Sequence, residues 1–169
     1  MTLTELNLLT PGEAETFFSQ TCAAKRWVTL MQCQRPYSSI AQVLECARQH
    51  WQSMDQQDFL HAFDAHPMIG DINSLREKYA NTKVMAGNEQ DGARQANETT
   101  LLGLQKLNLA YRDKHGFIFI ICASGLSAQS MLDAITQRIP NPTAKEIDIA
   151  SGEQLKITLL RLQKGLSDE

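Results

Sequence analysis

Again and again along this chain of 169 residues, a Ser, Thr or Asp stands directly ahead of a stretch whose apolar residues recur at three- and four-residue spacing, and a Gly or Pro closes the stretch. The small polar side chain satisfies backbone N–H groups that a helix start leaves open, and the spacing puts the apolar residues on one face. A chain punctuated in this way is committed to short amphipathic helices that must bury their stripes against one another.

Thr10-Pro11-Gly12-Glu13 has the form of a capping box with proline at the first helical position, and predicts a helix from Pro11 through Phe17 and Phe18. Trp27, Leu30 and Met31 mark a second helix that ends before Pro36. Ser39 opens a third, in which Ile40, Val43, Leu44, Ala47 and Trp51 form the clearest amphipathic stripe of the chain. Asp55 caps a fourth, carrying Phe59, Leu60 and Phe63, and Asp71 caps a short helix with Leu75 and Tyr79. The polar stretch from Ala80 to Asn88 reads as a loop, with Asn88 capping the next helix and Glu89 in its first turn. From Thr99 a helix carries Leu104, Leu107, Asn108 and Tyr111 and stops at Gly116. Ser127 starts another through Met131, Leu132 and Ile135 to Arg138, and Thr143-Ala144-Lys145-Glu146 is a second capping box, opening the last and longest helix to Gly165.

One stretch departs from the pattern. Phe117-Ile118-Phe119-Ile120-Ile121-Cys122-Ala123 is β-prone and apolar, yet no other segment reads as a strand to pair with it. Its buried backbone groups must be satisfied. Either the segment presents N–H and C=O groups to a small polar heterocycle, or loops satisfy them, or it becomes helical. The fold class expected is all-α: a helical bundle forming a single domain over 1–169, with one short extended apolar segment near 117–123.

A formal charge of −3 with scattered basic residues gives no nucleic-acid footprint, and no run approaches the length of a membrane span. The N-terminus has no apolar leader region, and Cys22, Cys33, Cys46 and Cys122 lack metal-ligand spacing. Buried, reduced thiols are expected rather than disulfides, which fits a reducing compartment. The C-terminal Leu-Ser-Asp-Glu is not a peroxisomal address, so a cytoplasmic protein without nucleic-acid or membrane partners is expected.

No phosphate-binding glycine loop, zinc spacing or nucleophile elbow is present, which leaves open a cofactor-free, metal-free site built from general acid–base groups. His66 is the candidate proton-transfer group. Pro67 biases it away from helical dihedrals, so it sits at an elbow after the fourth helix, either as a catalytic base or as a packed, capping ring. Glu89, at a helix start, stays ionised and either orients His66 or serves only the helix dipole. Arg161 offers a planar fork for a carboxylate, or forms a salt bridge on the last helix with Glu153. His50 and His61 fall inside helices and His115 in a last turn, while Arg138, Glu146 and Asn141 suggest an inter-helix tie.

These residues, taken in order, resemble the OHCU decarboxylases, which convert 2-oxo-4-hydroxy-4-carboxy-5-ureidoimidazoline (OHCU) to (S)-allantoin in uric acid degradation. The resemblance is carried by Cys22 to Trp27, Arg35-Pro36, His66-Pro67-Met68-Ile69-Gly70, Glu89-Gln90, Leu107-Asn108 with Tyr111, Gly116-Phe117, Ala123-Ser124-Gly125, and Glu153 to Arg161-Leu162. It implies an all-helical homodimer and a cofactor-free carboxy-lyase. On the matching positions it implies His66 and Glu89 as the catalytic pair, with Pro67, Gln90, Arg161 and the backbone of Phe117, Ile118, Phe119, Ile120 and Ile121 lining the substrate pocket. Where the family often has a serine ahead of the Glu-Gln pair, this chain has Ala86-Gly87-Asn88. Together with the missing peroxisomal address, the resemblance suggests a bacterial-type enzyme. The alternatives are a helical ligand-binding or interaction domain without catalysis, and a hydrolase of a ureide ring.

Overall fold

Thr2, Thr10, Ser39, Asp55 and Ser127 each accept backbone N–H groups of the first turn beyond them, and each starts a helix. The computed structural model describes residues 1–68, 73 and 90–167, excepting the side chains of 90–97. Among the described residues there is no strand, and eight helices have described bounds: α1 (Leu3–Leu8), α2 (Pro11–Thr21), α3 (Lys25–Cys33), α4 (Ile40–Gln52), α5 (Gln56–Asp64), α6 (Gln90–His115), α7 (Ala128–Arg138) and α8 (Thr143–Gly165). The fold is all-α, as the capping pattern requires. Apart from Asn73, which is helical, the expected Asp71 helix lies outside the described residues, as do the 80–88 loop and the Asn88 cap.

The chain divides into two compact units. The first comprises Met1–Ala65, Ile120–Cys122 and Ile147–Glu169. Its core gathers apolar stripes from several helices: Leu6, Phe18, Trp27, Met31, Val43 and Leu162 are completely buried. Phe18 meets the Trp27 and Tyr37 rings edge-on at 6.1 and 6.5 Å, the favoured geometry for aromatic quadrupoles. Each buried indole finds an acceptor: Trp27 Nε1 donates to the Ala47 carbonyl at 3.1 Å, and Trp51 Nε1 to that of Ser151 at 3.0 Å. Arg35 donates to the Leu6 and Leu9 carbonyls at 2.9 and 2.7 Å, satisfying the open C-terminal end of α1. Beyond α3, Asn7 and Tyr37 exchange two hydrogen bonds of 2.8 Å that fix the turn at Pro36.

The second unit comprises His66–Phe119 and Ala123–Glu146. Here α6 and α7 pack closely at Gly103, where a Cβ would lie 3.3 Å from Leu132 Cδ1. Leu101, Leu104, Tyr111, Met131 and Ile135 fill the interior, and buried Asn108 donates to the Leu104 carbonyl one turn back at 2.8 Å. Lys114 Nζ reaches the carbonyls of Ile139 and Asn141, at 2.6 and 3.2 Å, and closes the end of α7.

The structure corrects three readings. The helix expected from Thr99 is described from Gln90 and has 26 residues, so it, and not the 23-residue α8, is the longest described. Residues 90–99 are mostly polar and show no apolar stripe in the sequence, while Ala93, Arg94, Gln95 and Ala96 are good helix formers that offset the cost of Gly92. By contrast, residues 117–123 are neither strand nor helix, in keeping with the expected apolar segment without a strand partner and not with the helical alternative. The second capping box does not form: the Thr143 hydroxyl is bonded to His115 Nδ1 at 2.9 Å, and the Glu146 carboxylate is turned inward to other partners. Finally, of the four free cysteines only Cys22 and Cys46 are buried, while Cys33, at the last position of α3, is exposed.

Candidate active site

His66 stands in a bend two residues beyond the last residue of α5, whose C-cap is Ala65. It is half-buried, between exposed Ala65 and exposed Pro67. The helix ends here because the residue before proline is disfavoured in the helical region. The next side chain, Met68, is half-buried, and its Sδ lies 3.4 Å from an Arg112 guanidinium nitrogen. The expected partner, Glu89, lies outside the described residues. Gln90 is the first residue of α6.

The apolar segment leaves α6 through Gly116, whose φ of +80° lies in the left-handed region that L side chains rarely adopt. In the second unit, Phe117 and Phe119 are buried against Tyr111, with ring centroids at 5.7 and 5.2 Å and both contacts edge-on. The Arg138 guanidinium lies over the Phe119 ring, 4.4 Å from its centroid. In the first unit, Ile120 is buried and Ile121 half-buried, and the Cys122 N–H donates to Glu153 Oε2 at 2.8 Å. A side chain of α8 thus satisfies part of the backbone of this segment, a role that a strand partner would otherwise fill.

Glu153 also takes Lys156, whose Nζ lies 2.5 Å from Oε1. Arg161 points its Nη1 at the Thr21 and Gln20 carbonyls, at 3.3 and 3.5 Å, where α2 ends. This residue is exposed. Next to it, burial pushes the Cys22 thiol up to about 11, partly offset by the Ala24 backbone, the Thr158 hydroxyl and the Arg161 charge. Cys22 is thus held protonated and inert as a nucleophile.

The tie read from Arg138, Asn141 and Glu146 is present and larger than expected. Glu146, completely buried in the first turn of α8, takes Arg138 Nε at 2.9 Å and the Tyr111 hydroxyl at 2.6 Å on Oε2, and Asn141 Nδ2 at 2.8 Å on Oε1. Burial alone would raise the carboxyl's pKa. The hydrogen bonds from Arg138, Tyr111 and Asn141 outweigh it, and hold the group below its ordinary value. Tyr111 is the member the sequence does not disclose, since it sits on an apolar stripe and only its hydroxyl distinguishes it from a core ring. Among the described residues no three His, Cys, Asp or Glu side chains are grouped as metal ligands, and no helix is long and apolar enough to cross a membrane.

The sequence over residues 7–163 matches the family model described as OHCU decarboxylase. A relative from Arabidopsis thaliana, "Uric acid degradation bifunctional protein TTL", is 36% identical over 88% of this chain, which spans 46% of that protein's length. A 2-oxo-4-hydroxy-4-carboxy-5-ureidoimidazoline decarboxylase from Halalkalicoccus jeotgali is 30% identical over 78% of this chain and 72% of its own. Among solved structures, a crystal structure of OHCU decarboxylase in the presence of (S)-allantoin superposes with a TM-score of 0.70 at 32% identity, covering 87% of this chain and 94% of that one. With a family model matched across nearly its whole length and a fold shared with a solved member, this chain belongs to the OHCU decarboxylase family.

Proposed function

We propose that this chain decarboxylates OHCU to (S)-allantoin without a cofactor, as a carboxy-lyase acting from a single 1–169 domain. The observation that carries this reading is the family match over residues 7–163. Loss of the substrate carboxylate as CO2 leaves its electron pair delocalised into the adjacent unsaturated ring centre, and a proton delivered to one face then sets the configuration.

His66 and Glu89 are the proposed catalytic pair, with Glu89 orienting the ring and His66 moving the proton. The bend at His66-Pro67 supports this, because proline restricts the backbone that carries the ring. Arg161 is assigned to the substrate carboxylate, and Pro67, Gln90 and the backbone of 117–121 to orienting the ureidoimidazoline. We place the enzyme in the cytoplasm as a homodimer, and light scattering of the purified protein tests the oligomeric state directly.

The deciding experiment generates OHCU freshly and follows allantoin by circular dichroism against the racemic product of spontaneous decay. Wild type gives the (S) signal. His66→Ala and Glu89→Ala lose turnover by at least about a hundredfold with unchanged helical spectra. Near-normal (S)-allantoin formation by either variant would sink the assignment.

A further inference from the structure

The ion pair of the second unit grips rings of a segment that has no regular structure of its own. Glu146 Oε2 holds Arg138, with Nε and Nη2 both at 2.9 Å, and the Tyr111 hydroxyl. Arg138 in turn lies over Phe119, and Tyr111 meets Phe117 and Phe119 edge-on. A carboxylate with no exposed surface and an Arg side chain only 11% exposed are costly to bury, and a well-packed apolar pair of the same volume is often as stable. What an apolar pair lacks is direction. The guanidinium is held by its Nε hydrogen bond and ion pair to the carboxylate, and the Tyr111 ring by its hydroxyl, so two oriented surfaces clamp the rings at 117 and 119. Phe117, Ile118 and Phe119 belong to neither strand nor helix, so their course is not set by a regular element.

We infer that Glu146 is a positioning residue for the reaction: through Arg138 and Tyr111 it sets the path of the 117–119 backbone, and so the placement of the peptide groups offered to substrate. The inference rests on the reading of this backbone as substrate-lining. Glu146 itself touches no reacting atom in this scheme. Its influence is on substrate affinity, because a misplaced backbone donor weakens binding in ground and transition states alike.

The test separates stability from position. In Arg138→Met/Glu146→Leu the charge pair is replaced by apolar side chains, and in Tyr111→Phe only the hydroxyl is removed. Amide hydrogen exchange at 117–119 is measured on the free proteins, alongside KM and kcat for OHCU and the thermal midpoint. The double variant is expected to exchange about tenfold faster at 117–119 and to show KM raised about tenfold with kcat within about twofold. Tyr111→Phe moves both in the same direction by about threefold, and decides the matter should the double variant not fold. Wild-type exchange and KM in a folded variant overturn the inference. So does a change in only one of the two, which marks a purely structural tie or an effect that does not run through this backbone. If wild type makes no (S)-allantoin, the functional reading fails by itself, and the positioning inference falls with it even where exchange at 117–119 responds.

Discussion

The Tyr111 hydroxyl lies 2.6 Å from Oε2 of Glu146, a residue 35 positions further along the chain, and joins the C-terminal part of α6 to the first turn of α8. Burial, and then the hydrogen bond to Glu146, push the phenol's pKa up, while the carboxyl's is held down by its donors. The bond is therefore one between a neutral donor and an ionised acceptor at every pH near neutrality.

Stability should depend on pH through this group. The folded-state pKa of Glu146 lies below its ordinary value of 4.5, so the unfolded chain takes up the proton first as the pH falls. The contribution is complete well above pH 4.5 and is lost progressively as the pH falls towards and through the depressed value. Glu146→Gln is expected to cost about 3 kcal/mol near neutral pH, because it leaves Arg138 buried without its counter-charge. The difference in unfolding free energy between wild type and variant should shrink as the pH falls from about 6 to about 3, as denaturant titrations will show.

Gly116 ends α6 with φ at +80°, and a Cβ there would meet nothing within 4 Å. The cost of Gly116→Ala is thus conformational alone, about 1–2 kcal/mol, and Gly116→Asn should recover part of it. Urea midpoints at constant slope measure this. A loss near zero would mean that the turn relaxes out of the left-handed region.

Among the thiols, Cys33 is exposed, whereas Cys22 is buried and pushed up to about 11. At a pH of about 8 iodoacetamide should modify Cys33 at least about tenfold faster than Cys22, since the thiolate is the reacting species and must also be reached. Peptide mapping over time gives both rates. Equal rates would contradict the burial of Cys22.

Arg161 is proposed to hold the substrate carboxylate, while in the structure the Thr21 and Gln20 carbonyls at the end of α2 hold one of its guanidinium nitrogens. Arg161→Ala should raise KM for OHCU about tenfold with a smaller change in kcat, and Arg161→Lys should recover little, since an ammonium cannot reproduce the planar fork. An unchanged KM would remove Arg161 from the substrate's carboxylate.

Local signals are legible wherever one residue's chemistry suffices. Ser39, Asp55 and Ser127 announce α4, α5 and α7 because capping involves only the next three residues. Thr2 and Glu5 make an equally good capping box, but the six-residue helix they open is too short to show a period that would announce it. Of the candidate site, the bend at His66 after α5 is readable from Pro67, and the tie of Arg138 with Glu146 from their proximity in sequence. Thr143 and Glu146 mislead, because the same pair that forms a capping box can be claimed by better partners elsewhere.

The sequence alone settles that this chain is helical, where most helices start and stop, and to which family it is similar, since caps, stripes and motif order are properties of neighbouring residues. It could not settle what becomes of a polar group once several candidates come within reach. Thr143 goes to His115, Glu153 to Cys122 and Lys156, and Glu146 to Tyr111 and Arg138. Only the packed structure decides among such partners, because burial removes water as the competing partner and leaves each group to the donors that tertiary packing brings near.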